Sequence, residues 1–185
     1  MKSISAPESS VIRLRDACVD DAMGIATVQV TGWQTTYQGI VPDSHLSKLT
    51  AEGRADMWRR GMSEPRPDQH WIVAETEAGR IIGFIASGRA TEPVTDHAGE
   101  FYAIYLLPEH RGQGVGTRLL SDSAQRLIRD GLSAALVWVL AANPWRRFYE
   151  TRGGHYLCEK TITIGGTHLQ EVAYGFRLSS LVGVA

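Results

Sequence analysis

Segments with a strand-like pattern of hydrophobic residues alternate along this chain with segments that have a helical pattern. This order predicts an α/β fold. Apolar runs of strand length are bounded by glycine, proline or polar residues, and longer stretches carry apolar residues three or four positions apart. The predicted strands are residues 11–15, 71–75, 81–86, 100–107, 136–140, 155–164 and 168–178. The predicted helices run from Asp20 or Asp21 to about Tyr37, as one or two segments within 42–62, from Val115 to Ile128, and from Trp145 to Gly153.

Turn residues divide this pattern into hairpins, and polar ends limit the folded part of the chain. Two glycine-containing pairs, at 78–79 and 165–166, separate strands closely enough to predict hairpins. Residues 1–10 are polar, and we expect a mobile tail there. With 185 residues and 43% hydrophobic content, the chain can bury one sizeable core. We therefore predict a single domain over residues 11–178, followed by a C-terminal tail of 179–185.

A glycine-rich turn between a strand and a helix is the strongest candidate for a binding site. The strand ending at Leu107 is followed by glycine at positions 112, 114 and 116, and a helical pattern begins at Val115. The first N–H groups of a helix have no partner within it and attract anions. No Ser, Thr, Asp or Asn stands at this helix start to occupy those donors. An external anion such as a phosphate is therefore the expected partner.

The spacing of these glycines distinguishes between the phosphate-binding loops. A Walker-type loop needs a Lys and then Ser or Thr after its last glycine, but Gly116 is followed by a Thr-Arg pair. A dinucleotide-binding loop needs Gly-x-Gly-x-x-Gly, whereas residues 112–116 give Gly-x-Gly-x-Gly. The remaining pattern is Arg111-x-x-Gly114-x-Gly116. For this loop taken alone, a glycine-rich connection without a ligand stays an alternative.

A second motif lies one strand further along. The apolar strand 136–140 is broken at Asn143, and the next helix carries Phe-Tyr-Glu-x-x-Gly over residues 148–153. The glycine motif resembles the pyrophosphate loop of the GCN5-related N-acetyltransferase (GNAT) superfamily, and the second motif resembles its Asn…Phe-Tyr-Glu-x-x-Gly segment. Both stand in the family's order and separation, so the resemblance extends over about residues 11–177.

The resemblance implies the GNAT fold, an α/β (α+β) arrangement in which about four helices flank a mixed, twisted, seven-stranded sheet. It also implies acetyl coenzyme A as cosubstrate and no metal. Strand backbone would bind the pantetheine arm and turn amides the pyrophosphate, with Arg111 and Arg118 adding charge. The cofactor-binding residues implied in this way are Ile104, Tyr105, Leu106, Arg111, Gly112, Gln113, Gly114, Val115, Gly116, Thr117 and Asn143.

Two side chains are candidates for the proton transfers that N-acylation requires. Tyr149 is the candidate acid for the departing thiolate, because a phenol keeps its proton at neutral pH; the alternative is a core tyrosine. Glu100 is the candidate base, since similar enzymes often place a carboxylate on this strand, although a solvated glutamate fits equally and water can carry the proton. Asn143 is expected to contact the cofactor or a helix-bound water, or else to cap the next helix.

The acceptor site is expected in the N-terminal half of the chain. Trp33 and Tyr37 lie four positions apart near the end of the first long helix, so they share one face. Many bacterial GNAT proteins carry a similar Trp-x-x-x-Tyr-x-Gly segment, which implies that both residues form the floor of an acceptor pocket. A role in capping the core fits equally well. No acidic cluster in the sequence marks a polyamine or aminoglycoside pocket.

Composition narrows the remaining classes. The net charge of −1, with no basic run longer than two residues, argues against nucleic acid. The two cysteines, Cys18 and Cys158, and the six histidines lack paired or metal-ligand spacing, so we expect a reduced compartment and no metal. No stretch approaches the roughly 20 apolar residues of a membrane span, and no signal segment opens the chain. We expect a cytoplasmic protein without a membrane partner; a homodimer is left open.

The sequence therefore predicts an acetyl-CoA-dependent N-acetyltransferase that transfers the acetyl group directly from the thioester to a primary amine of a small molecule or a protein. Two alternatives are a coenzyme-A-binding or -sensing module without catalysis and an O-acyltransferase. The intact glycine motif together with Tyr149 favours the enzyme, because a module without catalysis does not need the acid. Nothing in the sequence identifies the amine.

Overall fold

Seven strands form one mixed sheet in the computed structural model, which describes residues 11–183. The strands are β1 (Ile12–Asp16), β2 (His70–Thr76), β3 (Ile81–Val94), β4 (His97–Leu106), β5 (Ala134–Leu140), β6 (His155–Ile164) and β7 (Thr167–Arg177). The helices are α1 (Ala22–Thr36), α2 (Asp43–Leu46), α3 (Ala51–Ser63), α4 (Val115–Arg129) and α5 (Arg147–Thr151), with 3-10 turns at Val19–Asp21, Pro108–His110 and Leu178–Ser180. The strand order β1-β2-β3-β4-β5-β7-β6 confirms the predicted seven-stranded mixed sheet.

Among the seven strands that the structure describes, only β4 and β5 pair in parallel, and this pairing is short. The paired positions are Gly99 with Ala135 and Glu100 with Leu136. Beyond Glu100 the two strands diverge, while β4 stays paired with β3 and β5 stays paired with β7. We call this opening between β4 and β5 the sheet fork. It leaves one backbone edge of each strand without a strand partner.

Helices cover both faces of the sheet. Successive residues of β3 point to opposite faces, so this strand contacts a helix on each side. Phe84 packs edge-to-face on Trp58 of α3, with ring centroids 5.2 Å apart. On the other face, the hydroxyl of Ser123 in α4 donates a 2.7 Å hydrogen bond to the hydroxyl oxygen of Ser87. The indole N–H of Trp58 donates to the side-chain oxygen of Gln29 at 2.9 Å, which ties α3 to α1. The two helical layers thus hold the sheet fork between them.

Two boundaries differ from the sequence prediction. The strands predicted at 81–86 and 100–107 extend to Val94 and begin at His97, so β3 and β4 form one long hairpin. Residues 87–99 lack an apolar alternation, and their pairing across the hairpin holds them extended instead. The segment 42–62, predicted as one or two helices, forms two, because the Thr50 hydroxyl accepts from the Gly53 N–H and starts α3. Residues 11–183 therefore contain five helices, in agreement with the prediction of about four.

The predicted limits of the domain, residues 11 and 178, can be compared with the two ends of the described chain. The tail predicted at residues 1–10 lies outside the described residues. At the other end, Leu178 and Leu181 are buried, so packing continues beyond the boundary expected at 178. Within residues 11–183, no helix is both long enough and apolar enough to cross a membrane. Nor does any group of three potential His, Cys, Asp or Glu ligands for a metal occur in the same range.

Candidate active site

The sheet fork opens into a pocket of about 340 Å³. Its walls come from both diverging strands, from the glycine turn before α4, and from the α5 segment. Most of the predicted site residues line this pocket: Tyr37, Ile104, Tyr105, Leu106, Arg111, Gly112, Gly114, Gly116, Thr117, Asn143 and Tyr149. Two motifs separated by about 30 residues in the sequence therefore meet at one opening.

A β-bulge in β4 lies beside the fork. Ala86 of β3 pairs with Ala103, but the next residue, Ser87, pairs with Phe101, so Tyr102 is an extra residue in β4. A bulge bends its strand and increases its twist. Beyond it, the free edge of residues 103–106 faces the pocket and offers backbone donors and acceptors to an extended ligand. No pattern of residues in β4 predicts this bulge.

The glycine turn presents the start of α4 to the same pocket. Gly114, the residue that precedes α4, has φ of +77°, a left-handed conformation that favours glycine. No side chain caps the helix, and no acidic residue stands in its first turn. The first backbone bond into the helix runs from the Arg118 N–H to the Gly114 carbonyl at 3.1 Å, so the preceding N–H groups are available to an anion.

Two arginines line this end of the pocket. The Arg111 guanidinium lies 4.7 Å from the centroid of the Trp145 ring and 3.5 Å from the Thr36 hydroxyl oxygen. The Arg152 guanidinium lies over the Phe148 ring at 5.9 Å, and among the described residues its Nε atom is buried without a hydrogen-bond partner. Arg152 was missed by the sequence analysis, because its place in the pocket depends on how α5 packs on α4.

Arg118 is not part of this pocket. Its guanidinium donates to the backbone carbonyl of Ile12 at 3.0 Å, and its side chain does not line the pocket. Gln113 donates to the Glu109 carbonyl at 3.1 Å, and Val115 is buried in the core. Neither side chain lines the pocket, so any contact from these two positions would come from the backbone.

Tyr149 combines the features of a core residue and a pocket residue. Its ring is buried and stacks on Tyr174, with centroids 6.1 Å apart. Burial raises the pKa of its hydroxyl, and the nearby Tyr37 hydroxyl raises it further. The side chain nevertheless lines the pocket, so the phenol presents a proton that it holds throughout the neutral range.

Tyr37 and Asn143 are joined at the floor of the pocket. The Asn143 amide donates a 3.0 Å hydrogen bond to the Tyr37 hydroxyl oxygen, and its side-chain oxygen accepts from the Trp145 N–H at 2.8 Å. Through the second bond, Asn143 caps the turn that precedes α5, which is the alternative role expected for this residue from the sequence. Burial raises the pKa of Tyr37 to about 12. Asn143 thus connects α1 to the segment before α5.

Trp33 lies behind the floor and does not line the pocket. Its indole meets Tyr37 edge-to-face at 5.0 Å and donates a 2.7 Å hydrogen bond to the Tyr105 hydroxyl oxygen. Gly32 allows this approach, because a Cβ there would lie 2.7 Å from the Tyr105 ring. Trp33 was expected to contact an acceptor directly. In the structure it packs behind Tyr37 and Tyr105, and these two residues line the pocket.

Glu100 stands where β4 and β5 separate, just outside the pocket lining. It is half-buried, and burial raises its pKa, while a hydrogen bond from the Thr91 backbone and the charge of Lys160 oppose that rise. Glu171 of β7 has its pKa raised in the same way, with Lys160 lowering it and Glu100 raising it. The sheet therefore brings together two carboxylates that are 71 positions apart, which the sequence analysis did not foresee.

The fold, the sheet fork and the uncapped glycine turn are those of a GNAT-type acetyltransferase. The sequence matches the acetyltransferase (GNAT) domain family over residues 67–153. An uncharacterized N-acetyltransferase of Bacillus subtilis, YuaI, is 34% identical over 166 residues, covering 90% of this chain and 93% of that protein. The chain belongs to the GNAT family of acetyltransferases.

Solved structures have the same fold at low sequence identity. The PaiA N-acetyltransferase of Thermoplasma acidophilum, solved in complex with coenzyme A, is 19% identical, with a TM-score of 0.63 over 90% of this chain and 99% of that one. The YncA protein of Salmonella typhimurium, solved with its cofactor acetyl-CoA, is 18% identical, with a TM-score of 0.68 over 91% of this chain and 95% of that one. At these identities the likeness concerns the fold.

Proposed function

We propose that the protein is an acetyl-CoA-dependent N-acetyltransferase that acts on a primary amine of a small molecule or a protein. The observation that carries the proposal is the meeting of the sheet fork and the uncapped start of α4 in one pocket. An extended arm with amide groups suits the first feature, and a pyrophosphate suits the second. Coenzyme A contains both, in that order along one molecule.

The residues present fit such a cosubstrate. The free edge of residues 104–106 supplies backbone groups for the pantetheine arm, and the amides of residues 112–117 supply donors for the pyrophosphate. Arg111 and Arg152 add positive charge at the same end, and no described acidic residue forms an ion pair with either one. The buried Nε of Arg152 would gain a partner from a bound anion.

The bound cosubstrate supplies an activated acyl group, and the chain's own residues manage the protons. Tyr149 holds its proton at neutral pH because burial raises its pKa, and it donates that proton to the departing thiolate sulfur. Glu100 accepts the proton that the amine loses, through water, since the carboxylate lies just outside the pocket. A backbone N–H on the free edge of β4 would polarise the acyl carbonyl.

The acceptor approaches from the side of α1 and the β6–β7 hairpin. Tyr37 forms the floor there, and its position is supported by Asn143 and Trp33. The hydroxyl of Tyr37 stays protonated below about pH 12, so it offers a neutral hydrogen-bonding group. Together with Glu100 and Glu171 beyond it, this surface favours an acceptor that carries a positive charge before it reacts.

The test is release of free thiol from acetyl-CoA in the presence of a panel of primary amines, amino-terminal peptides and matched alcohols. The proposal expects thiol release with at least one amine and a shift in the unfolding temperature with coenzyme A alone. A thermal shift without turnover on any acceptor would favour the cofactor-binding module instead. Turnover with alcohols but not amines would favour the O-acyltransferase, and the absence of any thermal shift would refute cofactor binding.

A further inference from the structure

One of the chain's own primary amines lies against a residue that lines the pocket. The Lys160 Nζ atom, on β6, lies 3.9 Å from the centroid of the Trp138 ring, on β5. Trp138 lines the pocket in the sheet fork. The lysine side chain reaches it across β7, where the residue paired with Trp138 is the small Ala173. The Lys160 side chain is 38% exposed, so its amine is accessible from solvent.

Carboxylates surround this amine. The Glu92 carboxylate lies 3.7 Å from Nζ, and Glu171 is the residue that pairs with Lys160 across β6 and β7. Glu100 and Glu171 are half-buried, and burial raises the pKa of each carboxyl group, while the charge of Lys160 partly opposes that rise. Each therefore binds a proton more readily than an exposed glutamate does. Groups that can accept the ammonium proton therefore lie beside the amine.

From this arrangement we infer that Lys160 is an intramolecular acetyl acceptor, so that the protein acetylates itself at this position. The inference rests on the proposed function, which supplies acetyl-CoA to the pocket. The Lys160 ammonium first transfers a proton to a neighbouring carboxylate or to water. Its neutral nitrogen then attacks the thioester carbonyl carbon and a C–N bond forms. As the C–S bond breaks, the thiolate takes the Tyr149 proton, and the second proton of the attacking nitrogen leaves through water and restores the Tyr149 hydroxyl.

Acetylation would change the electrostatics of this surface. The product is a neutral amide, so the ion pair with Glu92 and the cation–π contact with Trp138 are both lost. The position beside Glu100 and Glu171 then lacks the lysine cation that lowers the pKa of both carboxyl groups. A cationic acceptor would no longer compete with Lys160 for that position.

The chain contains internal controls for this inference. Its only lysines are Lys2, Lys48 and Lys160. Lys48 is exposed just after α2, so it reports the chemical acetylation that acetyl-CoA causes at any accessible amine. The purified full-length chain is incubated with isotopically labelled acetyl-CoA, and peptide mass spectrometry measures the acetylated fraction at each lysine over time.

We expect Lys160 to be acetylated at least about tenfold faster than Lys48, because a positioned amine reacts as if at a high local concentration. The rate per molecule should not change when the protein is diluted, since the reaction is intramolecular. Gly114→Asp, which blocks the anion site, should reduce labelling at Lys160 to the level at Lys48. Lys160→Arg should remove the fast phase, whereas Lys48→Arg should leave it intact.

Equal labelling of Lys48 and Lys160, or fast labelling of Lys160 that persists in Gly114→Asp, would overturn the inference. The self-acetylation and the proposed function can be refuted separately. If the protein shows a coenzyme A thermal shift and acetylates a free amine while Lys160 stays unlabelled, only the self-acetylation is wrong. If coenzyme A causes no thermal shift, the proposed function itself is wrong.

Discussion

The indole N–H of Trp33 donates a 2.7 Å hydrogen bond to the hydroxyl oxygen of Tyr105, and this bond joins α1 to the strand at the sheet fork. Burial raises the pKa of Tyr105, so its hydroxyl remains neutral and keeps the bond across the working pH range. The bond thus fixes a pocket-lining ring from behind. Substitution at Trp33 should affect the pocket through Tyr105.

Trp33→Phe keeps an aromatic ring but removes the donor. We expect a stability loss of about 1 kcal/mol and a higher Michaelis constant for the acceptor, with coenzyme A affinity within about twofold of the wild type. Trp58→Phe is the matched control, because it removes the indole bond to Gln29 away from the pocket. An unfolding curve and an acceptor titration make the comparison. Equal acceptor constants in both variants would reduce Trp33 to a core residue.

Gly114→Asp should abolish binding of coenzyme A. A side chain at φ of +77° is strained, and its carboxylate would occupy the site of the anion. The wild type at a hundred times the dissociation constant should gain about 2.7 kcal/mol from the cofactor. Gly131→Asp carries the same backbone strain at φ of +82°, beyond the far end of α4, and should keep the full thermal shift. If both variants keep the shift, the glycine turn is not the anion site.

Tyr149→Phe should slow turnover by about 10²–10⁴-fold while leaving coenzyme A affinity unchanged, because it removes only the proton donor. Tyr174→Phe is the control, since that phenol stacks on Tyr149 but donates to Glu150 at 2.7 Å and does not line the pocket. Single-turnover rates with acetyl-CoA and an acceptor separate chemistry from binding. Similar rates in the two variants would assign Tyr149 to packing alone.

The pH dependence of kcat/KM should show whether Glu100 acts as the base. An exposed glutamate has a pKa of about 4.3. Burial raises the pKa of Glu100, so this carboxyl group loses its proton at a higher pH than an exposed glutamate does. We expect kcat/KM to rise with pH through this raised pKa, and Glu100→Gln to remove that rise. Glu77→Gln, which removes an exposed carboxylate that is not among the groups acting on the Glu100 pKa, should preserve the profile. An unchanged profile in Glu100→Gln would leave proton removal to water.

The same substitution should stabilise the fold at neutral pH. A carboxyl group whose pKa is higher in the folded state than in the unfolded state contributes stability below the unfolded pKa, and that contribution is lost as the pH rises through the folded pKa. Glu100 is such a group, so its charge opposes folding at pH 7. Thermal unfolding of Glu100→Gln should therefore shift upward at pH 7 and show no upward shift near pH 4.

Local patterns were sufficient to predict the elements that carry their own signals. Hairpin β6–β7 follows from the pair Gly165-Gly166, and the start of α4 follows from the glycines before Val115, because turns and helix starts depend on a few adjacent residues. The long β3–β4 hairpin was not predictable in full. Its outer half, residues 87–99, is held by cross-strand bonds and not by an apolar pattern.

The sequence by itself was sufficient to recognise the family and the strand–turn–helix motif, and it made Tyr149 the candidate acid, since all three depend on short motifs of neighbouring residues. The tertiary structure decided which distant residues share a surface. It moved Trp33 behind the pocket, added Arg152 to the anion end, and brought Glu171 and Lys160 beside Glu100 and Trp138. Those contacts depend on strand order and register, which are set by long-range pairing and packing that no short stretch of sequence contains.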